Sequence, residues 1–223
     1  MRISYRSVFL TGIFITSLIA ANVIAVKVIA FGFLILPGAV IVFPISYILG
    51  DVLTEVYGFN WMKRVIWLGF FCNLIFVFFV WLGQILPPAT FWNWQGAYQT
   101  ILGFMPRLLF ASFCGYLVGS FTNSIILARM KVITGGRWLW VRTIGSTIIG
   151  EGLDTVIFII LAFAGTPLFM PAIIFYHWVT KVTIEVVATP LTYTIVKWLK
   201  KQEKIDVYDK ETDFNPFHIF LKS

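Results

Sequence analysis

Five carboxylates sit where an apolar chain should hold none. Asp51, Glu55, Glu151, Asp154 and Glu185 all fall inside long apolar stretches, and Lys27 and Lys181 share those surroundings. An ionised group at the centre of a membrane helix costs ~2.5–3.5 kcal/mol on insertion scales, so five of them demand a polar interior that is put to use. Their spacing gathers them. Asp51 and Glu55 are four residues apart, Glu151 and Asp154 three, and His177, Lys181 and Glu185 step by four along one helix face. At ~1.5 Å per residue, Asp51 and Glu151 lie ~10–13 Å in from the basic ends of their helices and Lys181 and Glu185 near mid-span, so three polar stripes meet at similar depth. Asn22, Asn73, Gln84, Ser112, Tyr116 and Asn123 add neutral groups suited to interhelical hydrogen bonds. Acids outnumber bases, so this interior either binds a solute rich in donors or positive charge, or keeps some carboxyls protonated. Both fit a transport pathway, with proton movement on Asp51 or Glu151, and one or more of the acids, Glu151 first among them, is expected to carry a proton when the site is empty.

The elements that position these groups follow from composition. The chain has 223 residues, 59% of them hydrophobic and 12% charged, with mean hydropathy +0.89, whereas a soluble domain carries about a quarter charged residues. A soluble enzyme, a disulfide scaffold and a nucleic-acid binder are excluded. Cys72 and Cys114 sit in apolar runs without metal-ligand spacing and read as small buried hydrophobes. Hydropathy places spans at Val8–Ala30, Pro37–Val56, Val65–Leu86, Leu108–Ala128, Thr143–Gly165 and Pro171–Leu199. The expected fold class is an all-α integral membrane protein of six transmembrane helices, with residues 1–199 as the membrane domain and 200–223 as a cytoplasmic tail. The tail mixes Lys200, Lys201 and Lys204 with Asp206, Asp209, Glu211 and Asp213 and reads as solvated or partly disordered.

Arg2, Arg6, Lys63, Arg64, Arg129, Lys131, Arg137, Arg142, Lys197, Lys200 and Lys201 fall on one side, and the opposite side carries only Arg107 at a helix mouth. The positive-inside rule then puts both termini in the cytoplasm. The first apolar run continues to Ala30, too far for a signal-peptide h-region, and its removal would spoil the charge alternation. The outer loop from Leu86 to Met105, with Phe91, Trp92, Trp94 and Tyr98, is either an interfacial belt or a lid over an entrance. An internal echo aligns Ser46, Gly50 and Asp51 with Ser146, Gly150 and Glu151 at an offset of 100 residues, as a 3+3 inverted repeat would give.

The run FPISYILGDVLTEVYG from Phe43 to Gly58, preceded by Asn22 and Lys27, resembles the queuosine precursor transporter family of the vitamin uptake transporter group. STIIGEGLDTVIF from Ser146 to Phe158 and the Lys181/Glu185 pair extend the resemblance to about Leu199. It implies a six-helix importer in the bacterial inner membrane, taking up 7-cyano-7-deazaguanine or 7-aminomethyl-7-deazaguanine for queuosine in transfer RNA. It also implies a fold similar to the substrate-binding components of energy-coupling-factor transporters. Asp51, Glu55, Asp154 and Lys181 match the family pattern and Asn22 and Lys27 flank it, whereas position 151 is often neutral in the family. The full set of expected substrate-binding residues is Asn22, Lys27, Asp51, Glu55, Asn123, Glu151, Asp154, Lys181 and Glu185. A deazaguanine's paired N–H donors suit carboxylates, and its flat ring suits aromatic walls.

The expected partners are this small deazapurine and the lipid bilayer, with no nucleic acid, metal or cofactor. A homo-oligomer and a separate ATPase module remain open, and sequence does not separate a secondary transporter or facilitator from an ATPase-dependent binding component. An intramembrane enzyme is the rival of another class. It lacks H-E-x-x-H and G-x-S-x-G motifs, which leaves only an Asp51/Asp154 aspartyl dyad to consider.

Overall fold

The computed structural model describes residues 4–31, 34–103, 106–165, 169 and 171–218. Arg2 and Met105, used above for sidedness and for the outer loop, lie outside them. The elements run α1 (Tyr5–Ile24), β1 (Val28–Phe31), β2 (Leu34–Pro37), a 3₁₀ turn (Gly38–Ile41), α2 (Phe43–Tyr57), α3 (Phe59–Ile85), α4 (Gln95–Leu102), α5 (Pro106–Ile133), α6 (Leu139–Phe163) and α7 (Pro171–Glu203).

Five segments are long and apolar enough to cross a bilayer: α1, α3, the stretch bearing α4 and α5, α6, and α7. Their outer faces expose large apolar side chains such as Phe78, Phe79, Ile160 and Val187, while Thr143, Ser146, Asn73 and Glu185 are buried between helices. Polar inside and apolar outside is the arrangement a lipid solvent selects. The protein is therefore a multi-pass helical membrane protein.

Two expected spans are corrected at their facing ends. The first stops at Ile24 rather than Ala30, and residues 37–42 of the second are not α-helical. In their place β1 and β2 pair antiparallel, Val28 opposite Pro37 and Phe31 opposite Leu34. Short β-branched apolar runs fit a strand as well as a helix, and Pro37 and Gly38 interrupt any helix there. The fold is thus helical with one added hairpin. What remains of the second span is α2, 15 residues long. At ~1.5 Å per residue it measures about 22 Å, short of a ~30 Å hydrocarbon layer. It survives because it is surrounded: from Ile48 to Tyr57 every residue is buried, and α2 packs on α1, α3, α5 and α7.

The tail after α7 is docked rather than solvated. Val207 N–H donates to Val56 O at 3.2 Å, the Asp209 carboxylate accepts from Phe59 N–H at 3.0 Å, and the Phe214 ring lies 5.1 Å from that of Phe59. Asp209 thereby caps the otherwise unpaired amino end of α3 with a negative charge. Gly58, at φ +82°, makes the one-residue joint between α2 and α3, and a Cβ there would stand 2.7 Å from Val207 Cγ1. Only glycine accepts both the backbone turn and the strap lying over it.

Candidate functional site

Between α1, α2, α3, α5, α6 and α7 lies a cavity of about 430 Å³, within the ~300–1,000 Å³ range of small-molecule sites. Lys181 of α7 reaches into it and holds two acids of α6. Its ammonium donates to Glu151 Oε2 at 2.9 Å and is also paired with Asp154. The Tyr47 hydroxyl hydrogen-bonds Glu151 as well. Phe43 stacks on Tyr47, with centroids 5.8 Å apart and planes at 17°, and lies 5.6 Å from the Lys181 ammonium. One end of the cavity is thus a flat aromatic wall beside two carboxylates and a lysine.

Glycines bring the acids to this wall. A Cβ on Gly119 would meet Asp154 Cβ at 2.7 Å and Gly150 O at 3.0 Å, and one on Gly150 would meet Asn123 Cβ at 2.7 Å. Only bare backbone allows α5 and α6 to approach this closely. The contact sets Asn123 beside α2, where its amide donates to Asp51 Oδ1 at 2.8 Å. On the far wall Asn22 donates to Asn73 Oδ1 at 2.6 Å, tying α1 to α3.

Of the nine sequence-derived residues, Asn22, Asn123, Glu151, Asp154 and Lys181 line the cavity. Asp51 and Glu185, 1% and 0% exposed, are buried but are not among its lining residues. Lys27 is exposed in the turn after α1. Lys181 takes its partners from α6, and not from Glu185 one turn away on its own helix.

Glu55 belongs to a separate ion cluster at the basic end. Arg142 bonds its carboxylate through Nη1 at 2.5 Å and Nη2 at 3.3 Å, and Lys200 bonds it at 2.7 Å. Lys131 approaches the same carboxylate at 3.6 Å and also binds Asp206 and the Val207 carbonyl in the tail. Lys63, which lies close to Glu55 in sequence, does not join this cluster and donates instead to the carbonyls of Asp213 and Asn215. Partial burial acts to raise the Asp206 carboxyl, but hydrogen bonds from Lys131 and Lys200 outweigh it and hold that group below the usual carboxylate range.

Sequence reasoning did not single out Phe43 and Tyr47, although their i, i+4 spacing on the stripe that leads to Asp51 was there to be read. It also counted Arg142 and Lys131 as loop charges, whereas each is only 1% exposed. The unpaired Glu55 in an apolar run was the signal that cations had to fold back onto it.

Residues 37–195 match a family model described as "putative vitamin uptake transporter". A protein of Bacillus subtilis (strain 168), "probable queuosine precursor transporter", is 30% identical over 161 residues, which is 69% of each chain. No solved structure matches this chain. The matched region holds every cavity residue of α2, α3, α5, α6 and α7 described above, and of the nine expected site residues it omits only Asn22 and Lys27.

Proposed function

The chain belongs to the vitamin uptake transporter family, a transporter and not an enzyme, and from that premise we propose that it imports queuosine precursors across the bacterial inner membrane. The observation that carries the reading is the Lys181, Glu151 and Asp154 cluster beside the Phe43/Tyr47 wall of the cavity. A deazaguanine such as 7-cyano-7-deazaguanine offers an N1–H and an exocyclic amine to a carboxylate, a carbonyl or nitrile acceptor to an ammonium, and a flat ring to aromatic side chains. Asp154 accepts from the base edge, Lys181 donates to the acceptor while balancing Glu151, and Phe43 and Tyr47 stack. Asn22 and Asn123 line the remaining walls and add neutral polar contacts.

The six membrane-inserted helices are α1–α3 and α5–α7, with α2 as the short buried member and both termini cytoplasmic. The related motifs of α2 and α6 make these the corresponding helices of two inverted halves, with the site at their interface. The Glu55 cluster and the tail close the cytoplasmic end, so access alternates by loosening that end against the opposite one. A bacterial strain that makes no queuosine precursor and has lost its own importer tests the reading. Expression of this chain with 7-cyano-7-deazaguanine in the medium is expected to restore queuosine in transfer RNA, and Asp154→Asn is expected to abolish the effect. Unrestored queuosine with the protein inserted in the membrane would overturn the assignment.

A further inference from the structure

Glu185 is fully buried, and neither of its carboxylate oxygens has a hydrogen-bond partner among the described residues. Asp51, on the helix packed against α7, is in the same condition at Oδ2, as its other oxygen is taken by Asn123. Among the described residues, the charged groups that act on these two acids carry the same sign, and the nearby cations are already engaged. From α2, Asp51 interacts with Glu185 and with Glu55, and from α6 Glu151 acts on both Asp51 and Glu185. Lys181, one turn away on α7, is held by Glu151 and Asp154. Arg142, Lys131 and Lys200 gather on Glu55. Two buried carboxylates that act on one another with no cation between them are costly to keep ionised, because an uncompensated buried charge loses its hydration without a partner to replace it.

We propose that Glu185 and Asp51 form a proton-binding site behind the wall of the substrate cavity, and that this proton is the coupling ion of the carrier. The inference rests on the transport reading above; of the acids that the sequence put forward it favours Asp51 over Glu151, which has a lysine, and adds Glu185. A proton fits where a metal cation does not. Neither acid lines the cavity, and a bare cation such as Ca²⁺ needs about six to eight oxygen ligands, whereas a proton removes the uncompensated charge without any ligand shell. Asn123 links the two sites. Its side chain lines the cavity, its amide donates to Asp51 at 2.8 Å, and its own Oδ1 is unpartnered. A substrate that draws on the Asn123 amide takes a stabilising donor from Asp51, so occupancy of the cavity and of the proton site become reciprocal.

Infrared spectroscopy of the purified protein at neutral pH reads the proton without any substrate. The wild type is expected to show a protonated-carboxyl stretch that is missing from Glu185→Gln, whose amide mimics the neutral acid and so preserves the fold. Asp51→Asn, which removes the interacting negative charge, is expected to shift the same band and serves if the first variant does not fold. In liposomes, an inward proton gradient is expected to drive accumulation of 7-cyano-7-deazaguanine by the wild type. Glu185→Gln is expected to lower the ratio of gradient-driven accumulation to substrate exchange at least ~10-fold, the ratio that separates loss of coupling from loss of binding. Absence of the band, an unchanged ratio, or drive by a sodium gradient instead would overturn the proposal. A wild type that exchanges no substrate would sink the transport reading, and the infrared band would still decide whether the proton is there.

Discussion

The approach of α5 to α6 positions Asp154, and Gly119→Ala measures what that closeness is worth. The added methyl would stand 2.7 Å from Asp154 Cβ and 3.0 Å from Gly150 O, where carbon contacts normally lie at ~3.5–4.0 Å. Neither neighbour can swing aside, because one is a Cβ and the other a backbone oxygen, so the helices must part by about 0.8 Å. Overpacking of this kind costs ~1–3 kcal/mol, against which the helix recovers ~0.5–1 kcal/mol on losing a glycine. The net loss of up to about 2 kcal/mol lowers the melting temperature by ~2–4 °C for each kcal/mol in a chain of this size. Displacement of Asp154 is expected to forfeit the charged hydrogen bond proposed for it with the substrate, ~1.5–3 kcal/mol or ~10–100-fold in affinity. Gly12→Ala is the control, since nothing lies within 4 Å of its added carbon. Thermal unfolding followed by tryptophan fluorescence, with substrate titration, reads both effects. A Gly119→Ala protein that melts and binds like Gly12→Ala would refute the reasoning.

Glu55→Gln removes the carboxylate that pairs with Arg142 and leaves Lys131 and Lys200 with Asp206. It is expected to destabilise the protein by about 3–5 kcal/mol, as broken buried pairs do. A variant that melts normally but fails to bind would place Glu55 in the substrate site instead. The Asp206 carboxyl is held below its ordinary value in the folded chain. Its contribution to tail docking is therefore complete above the unfolded value of ~3.9 and is lost as pH falls through the lower folded value. Trp67, whose Nε1–H donates to the Pro216 carbonyl at 2.9 Å, is expected to report tail release by its fluorescence only at strongly acid pH. Asp206→Asn removes that pH dependence, and an unchanged titration would assign the release to another group. Phe43→Ala is expected to weaken substrate binding by ~2–12-fold, the worth of one aromatic stack; unchanged affinity would take the ring out of the site.

The polar stripes were legible because helical spacing puts i, i+3 and i+4 on one face, and Glu151, Asp154 and Lys181 of two of them meet at the cavity, while Glu55 of the third joins a separate ion cluster. Which stripe meets which was not legible. Lys181 pairs across to Glu151 and Asp154 because α6 and α7 pack together, with Gly152 against the Trp178 ring, at a distance that no single-helix pattern encodes. Arg142 and Lys131 look in sequence like any basic residues at a helix end, and only the fold shows them turned onto a buried acid. The tail's mixed charges read as solvated because their partners, the amino end of α3 and the carbonyl of Val56, lie about 150 residues away. The hairpin after α1 was hidden by an ambiguity of short apolar runs that periodicity does not resolve.

Binding of a deazaguanine in the Lys181, Glu151 and Asp154 cavity is tested most directly by calorimetric titration of 7-cyano-7-deazaguanine into the purified protein and into Asp154→Asn. The wild type is expected to bind, and Asp154→Asn, folded and inserted, is expected to bind at least ~10-fold more weakly, the worth of one charged hydrogen bond. Equal affinity in the two proteins, or no binding by the wild type, would contradict it.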